Sequence, residues 1–264
     1  MGSNHPISEI EDNKDRNFVT ALARGLDVLR SFRPHETLLS NAEMATRTGL
    51  PKPTVSRLLN TLCKLDYVSF DEATGNYRLS AGVLSLGFGV ISGMEIADRA
   101  KGILLDLRDG PNSFITAAVA QAHMAEAVYV AVERSREDIS LAITIGARLP
   151  LFFSAIGRAI LLAMSEEELE TAFAYGAQVL PDSIQAQKES YKTAKAEFEC
   201  RGYCSSFGDW RKDVNGIAVP IKMHDGRVFA INVGGPAINV KQKQLETIYA
   251  PRLKAAAKNL SLQP

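Results

Sequence analysis

Apolar and polar positions along the chain define a helical N-terminal stretch followed by a longer one in which strands and helices alternate. Val19, Leu22, Leu26 and Leu29 recur at spacings of three and four, which predicts one apolar stripe on a helix over 18–31, with Arg24, Asp27 and Arg30 on its solvent side. Ser40-Asn41-Ala42-Glu43 fits a capping box, in which the Ser40 hydroxyl accepts from the Glu43 amide and the Glu43 carboxylate accepts from the Ser40 amide. A short helix therefore starts there and ends at Gly49, a residue that tolerates the positive φ of a helix-terminating turn. A second helix follows over 52–62, with Pro53 in its first turn. Val55, Leu58, Leu59 and Leu62 face a core; Lys52, Pro53 and Thr54 stand at the exposed start, and Ser56, Arg57 and Asn60 project elsewhere. Tyr67 to Phe70, a polar turn ending in Gly75, and Asn76 to Leu79 read as strand, turn, strand.

Beyond Ser80 the pattern changes. Residues 80–99 are apolar but broken by Gly82, Gly87, Gly89 and Gly93, each costing a helix roughly 1 kcal/mol relative to alanine. Ile103, Leu104 and Leu107 predict another helix, and 115–120, 127–132 and 139–145 predict strands. Helices are expected over 156–164, from Glu166 onward, and over 190–201 up to Gly202. A hairpin is expected from 216–223 and 228–233, and a closing helix over 240–260 whose register Pro251 interrupts. The expected organisation is a disordered tail at 1–16, a winged helix-turn-helix domain at 17–80, a linker at 81–99 and an α/β domain at 100–264, an α+β two-domain chain.

Charge narrows the function. Lys plus Arg and Asp plus Glu are both 30 in 264 residues, so a protein that coats nucleic acid is excluded and any DNA contact must be local. From Asn17 to Ser80 there are eight basic residues against six acidic. The ordered series of cap, glycine turn, recognition helix and hairpin wing points to double-stranded DNA: the N-terminal part of the second helix enters the major groove, and the wing meets phosphates. The candidate DNA-binding residues are Arg24 on the first helix, Ser40 at the start of the next, Lys52, Pro53, Thr54, Ser56, Arg57 and Asn60 on the recognition helix, and Asn76 and Arg78 on the wing. Taken singly, each also reads as an ordinary surface or capping residue.

Cys63, Cys200 and Cys204 are too few and too unevenly placed for a disulfide scaffold, which fits a reducing compartment, and no stretch approaches the roughly 18 apolar residues of a membrane helix. A cytoplasmic protein without membrane attachment is expected. Cys200 and Cys204 lack a histidine at zinc-ligand spacing, His123 and His224 lie in polar, loop-like contexts, and Gly234-Gly235-Pro236 is no dinucleotide fingerprint. No metal, cofactor or catalytic residue is expected. The alternative is an enzyme acting on a small carboxylic acid, with the winged unit as an interaction module.

Three N-terminal stretches carry a resemblance to the IclR-type bacterial transcription regulators: Ala21 to Leu29, Thr48 to Leu59, and Gly75 to Leu79. It continues through Gly146-Ala147-Arg148-Leu149-Pro150-Leu151 with Ser154-Ala155-Ile156-Gly157-Arg158-Ala159, then Arg201-Gly202-Tyr203, Gly216 to Ile221, and Gly234-Gly235-Pro236. The chain departs from the family pattern at Phe152 or Phe153, where a small or polar residue is usual, and at Arg158, where lysine is frequent. The resemblance implies a linker helix over 81–99, whose exposed apolar stripe would suit a dimer contact, and a GAF-like effector-binding domain. It also implies homodimers pairing into tetramers on a palindromic operator, and an effector pocket drawing on Ser154, Ala155, Ile156, Asp209, Trp210, Asn215 and Asn232. An amide in an apolar strand, as at Asn232, is costly unless paired, and a small ligand could pair it. Ser154 as a helix cap, Asp209 as a solvated loop acid and Asn232 bonded to backbone are the ordinary readings beside this one.

Overall fold

A computed structural model describes residues 17–33, 36–137 and 143–262. The expected disordered tail at 1–16 lies outside the described residues, as do Ile139 and Leu141 of the expected strand 139–145. The chain forms two compact units that divide between Gly93 and Met94.

In the first unit, helices α1 (Thr20–Arg30), α2 (Asn41–Thr48) and α3 (Lys52–Lys64) precede a hairpin of β1 (Val68–Asp71) and β2 (Asn76–Leu79) and a further helix, α4 (Ala81–Ser92). The capping box closes as expected: the Ser40 amide donates to Glu43 at 2.8 Å and the Glu43 amide donates to the Ser40 hydroxyl at 3.2 Å. These bonds to the carboxylate hold Glu43 below the usual carboxyl range. Gly49 ends α2 at φ 68°, left-handed backbone that suits glycine. The core is Val28, Phe32, Leu39, Met44, Val55, Leu59 and Val68.

The polarity of α1 departs from the expectation in part: Leu29 packs against the core and Arg24 is exposed as read, but the rest of the stripe is not covered. Ala23, Asp27 and Val28 are buried, whereas Val19, Leu22 and Leu26 are exposed, Leu22 at 63%. Periodicity fixes that a stripe exists but not that this unit covers it, and here the smaller residues take the contact with α3. The helix expected over 81–99 is two helices: α4 ends at Ser92, and Met94 leaves helical geometry at ψ 87° before α5 begins at Glu95. Within α4, Leu84, Leu86, Phe88 and Val90 are all exposed.

The second unit is a six-stranded antiparallel sheet of order β5-β4-β3-β8-β7-β6, formed by β3 (Thr116–His123), β4 (Glu126–Glu133), β5 (Arg148–Pro150), β6 (Cys204–Phe207), β7 (Val214–Lys222) and β8 (Val228–Pro236). Its helices are α5 (Glu95–Arg108), α6 (Ala155–Ala163), α7 (Glu166–Val179), α8 (Ile184–Arg201) and α9 (Ala250–Leu262). Pro251 is accommodated by a π-helical turn, Leu245–Tyr249, just ahead of it. Ile143 and Ile145 do not continue a strand; the edge is made by Arg148–Pro150, and Cys204–Phe207 adds a strand that its polar sequence did not announce.

The two faces of the sheet differ in bulk. Toward α5 and α9 it presents Val119, Ile217, Val219, Ile221, Phe229, Ile231 and Val233. Toward α6 it presents mainly alanines, Ala118, Ala120, Ala127, Ala218 and Ala230. Alternation along each strand produces this split, and the small side chains let α6 lie close to the sheet.

Candidate nucleic-acid interface and effector cavity

Val55 and Leu59, both fully buried, anchor α3, so that Lys52, Pro53, Ser56, Arg57 and Asn60 are exposed and Thr54 is half-buried. Arg24 on α1 and Arg57 on α3 line one open groove together with Thr54 and Asn60. Two guanidinium groups without a competing carboxylate in the lining suit a phosphate-bearing partner. Ser56 is not isolated: its hydroxyl accepts from the Asn41 side-chain amide of α2 at 2.8 Å, a contact sequence spacing did not reveal. Ser40 spends its hydroxyl on Glu43, to which it donates at 2.7 Å. On the wing, Arg78 pairs with Asp71 across the hairpin at 3.2 Å, and Asn76 stands opposite Asp71 in the strand register. Arg78 is 55% exposed in this pair and Asp71 18%, so the guanidinium reaches solvent on the wing.

A second site lies beneath the alanine face of the sheet. Ser154 is buried and caps α6, accepting from the Gly157 amide at 3.1 Å while donating to the Pro150 carbonyl at 2.8 Å. The ordinary capping reading therefore holds for Ser154, and the same residue lines a cavity with Ala155, Ile156, Trp210, Asn215 and Asn232. Asn215 donates to the Val240 carbonyl at 2.9 Å. Asn232 donates not to backbone but to the Tyr129 hydroxyl at 3.2 Å, and its Oδ1, though buried, has no hydrogen-bond partner. Asp209 is outside the lining; it pairs with Arg158 at 2.6 Å, because the loop turns its carboxylate toward α6.

Sequence reasoning missed Thr116, Tyr129, Ser206, Gly216 and Gly234 as lining residues. A signal was available for Tyr129, a large aromatic on a strand face otherwise carried by alanines. In register, Asn232 is flanked by Ala118 on β3 and Ala218 on β7, whose small side chains leave the space above it open. Burial pushes the Tyr129 phenol well above its usual range, so the hydroxyl stays protonated. The cavity volume is about 30 Å³, below the roughly 300 Å³ at which small-molecule sites begin.

Arg158 of α6 is the buried charge beside this cavity. Its guanidinium donates to Ser190 at 2.9 Å, to the Ser205 carbonyl at 2.6 Å, to Asp209 at 2.6 Å and, at 3.4 Å, to the Phe152 carbonyl. One side chain thus ties α6 to α8, to β6 and to the loop that carries Trp210.

Residues 21–72 match the family described as the IclR helix-turn-helix domain, and residues 88–262 match the bacterial transcriptional regulator IclR C-terminal family. The chain belongs to the IclR family of bacterial transcription regulators. It is 30% identical over 257 residues to the Pca regulon regulatory protein of Pseudomonas putida, covering 94% of this chain and 85% of that one. An IclR family transcriptional regulator from Brucella abortus shares 38% identity over 96% of this chain and 97% of its own, with a TM-score of 0.81. An IclR homolog from Microbacterium hydrocarbonoxydans, crystallised with 4-hydroxybenzoate, shares the fold at 20% identity, covering 91% of this chain and 97% of that one, with a TM-score of 0.64. IclR-family membership makes the chain a helix-turn-helix transcription regulator and gives no support to the enzyme alternative. No single described helix is long and apolar enough to cross a membrane.

Proposed function

We propose that this IclR-family regulator works in the cytoplasm as a repressor, occupying a palindromic double-stranded operator through α3 and the wing and responding to a small organic acid bound in the α6 cavity. The DNA-binding residues are Arg24, Lys52, Pro53, Thr54, Ser56, Arg57 and Asn60, with Asn76 and Arg78 on the wing and Ser40 shaping the start of α2. The observation that carries this reading is the groove shared by Arg24 and Arg57 beside the exposed start of α3. Arg57→Ala is expected to weaken binding to an operator selected by the parent protein from random duplexes by at least about 30-fold in a gel shift, each operator half-site losing a contact of roughly 1–3 kcal/mol. Unchanged retention with an unchanged melting curve would remove Arg57 from the interface.

The start of α6 favours an acid. Gly157 and Arg158 amides are taken by Ser154, while the amides of Ala155 and Ile156, at the cavity end, precede the helix's own ladder. A carboxylate there meets two donors and the positive end of the helix dipole. The 4-hydroxybenzoate complex of the Microbacterium protein is consistent with a ligand of this class.

Homodimers are supported by the large apolar side chains exposed on α4, Leu84, Leu86, Phe88 and Val90, because exposed apolar residues grouped on one helix mark an interaction surface. Pairing of dimers into a tetramer on DNA completes the proposal. Replacing Leu84 and Phe88 together by serine is expected to shift the species seen by light scattering from dimer or tetramer to monomer; a variant of unchanged mass would place the interface elsewhere.

A further inference from the structure

A serine hydroxyl in a DNA groove ordinarily reads little, because it turns to donate or to accept as the facing base requires. Ser56 is held differently. Its oxygen accepts from Asn41 Nδ2 at 2.8 Å. The two helices concerned are fixed in spacing: the capping box sets Asn41 as the first residue of α2, and Met44, Val55 and Leu59 pack α2 and α3 into one core. Two directions are left around the oxygen, one for its proton and one for its second lone pair. No described residue takes the proton. Ser56 is exposed within the first five residues of α3, the part of a recognition helix that meets base edges. Water serves the hydroxyl in the free protein. Against DNA that water is displaced, and a proton turned away from the base is left without an acceptor, which is costly. The favourable arrangement is the one in which the proton faces the base.

Resting on the reading that α3 occupies an operator, we infer that Asn41 is a positioning residue for sequence recognition: by donating to Ser56 Oγ it makes the Ser56 hydroxyl a donor toward the major groove. Guanine offers N7 and O6 to such a donor, adenine N7 and thymine O4, whereas cytosine presents only its N4 amino group, itself a donor. Each half-site therefore excludes cytosine on the strand that faces Ser56.

The full-length parent protein first selects an operator from random duplexes, and competition gel shifts then compare it with duplexes carrying every other base pair at each half-site position. At one position per half-site, cytosine is expected to weaken binding by at least about 5-fold, the margin of one hydrogen bond, and Ser56→Ala should abolish that penalty. In Asn41→Ala the proton can turn into the vacated space, so the penalty should fall to about 1 while affinity for the selected operator stays within about 3-fold. In Asn41→Asp the carboxylate takes the proton, the oxygen faces the groove as an acceptor for cytosine N4, and the ranking should reverse. The added negative charge weakens all duplexes alike and leaves the ratio untouched. Each variant is checked for an unchanged cooperative melt, and the aspartate carries the test by itself where alanine alters the fold. If Asn41 only held α2 against α3, its variants would weaken all duplexes in proportion and keep the cytosine penalty, which overturns the inference. A parent protein that prefers cytosine beneath Ser56, the result of an amide turned over so that Oδ1 accepts from the hydroxyl, also overturns it. So does a Ser56→Ala profile identical to the parent's at every position. Failure of the parent to select any sequence overturns the operator reading and this inference with it.

Discussion

Gly157→Ala is expected to destabilise the C-terminal domain severely. An ideal Cβ at this position would stand 2.1 Å from the Leu151 carbonyl oxygen and 2.6 Å from the Leu151 carbonyl carbon and Cα. All three are backbone atoms, and they cannot retreat: Leu151 is fully buried and its amide is bonded to the Ala125 carbonyl at 3.0 Å. Overpacking a core ordinarily costs about 1–3 kcal/mol, absorbed by side-chain movement. Here no side chain can give way, so the cost should exceed about 4 kcal/mol, a large part of the 5–15 kcal/mol that holds a typical domain together. Urea titration followed by Trp210 fluorescence is the measurement, since Trp210 belongs to the affected unit. A midpoint equal to that of the parent protein would show that α6 does not approach Leu151 as described.

Arg158→Met is expected to destabilise the same domain by about 3 kcal/mol. Methionine fills much of the space but leaves the Ser205 carbonyl and the Ser190 hydroxyl oxygen without the guanidinium donor, while the Phe152 carbonyl keeps the Ser190 hydroxyl as its donor. Unmatched buried acceptors cost about 1–3 kcal/mol each, softened where water can enter. Asp209 contributes less, because its side chain is 46% exposed and stays hydrated when its partner is removed. Arg158→Lys should recover only about 1 kcal/mol, since one ammonium cannot serve acceptors on α8, β6 and the following loop together. Chemical denaturation gives the free energies, and hydrogen exchange should show the amides of 204–210 losing protection first. Parent-like stability of the methionine variant would mean that the guanidinium is dispensable.

How far the sequence revealed this molecule depended on whether the signal was local. The α2 capping box, the Gly49 turn and the apolar face of α3 are short-range features, decided within a few residues, and they stand as read. The α1 stripe failed because periodicity does not say which side is covered: Leu22 and Leu26 remain exposed and Asp27 is buried. Cys204–Phe207 was invisible as a strand because its pairing with β7, not its composition, makes it one. In the candidate cavity, Ser154, Ala155 and Ile156 came from the family resemblance. Tyr129 was missed because it reaches Asn232 only once strands far apart in sequence are side by side. Asp209 was near the cavity in sequence but is turned to Arg158, a pairing that no spacing rule contains.

The central strand pair of the sheet sets an order of events during synthesis. Thr116 of β3 pairs with Gly234 of β8, so the middle of the C-terminal domain cannot close until nearly the whole chain has left the ribosome. The DNA-binding unit needs nothing beyond Gly93 for its own core. It is therefore complete first, and domains made in this order fold in this order. For the remainder of translation, a finished winged domain displays Leu22, Leu84 and Phe88 with no folded effector domain behind it. If these residues carry the proposed homodimer contact, nascent chains on neighbouring ribosomes of one message would present it to one another, which would favour assembly between chains translated together over mixing with related regulators made elsewhere in the cell.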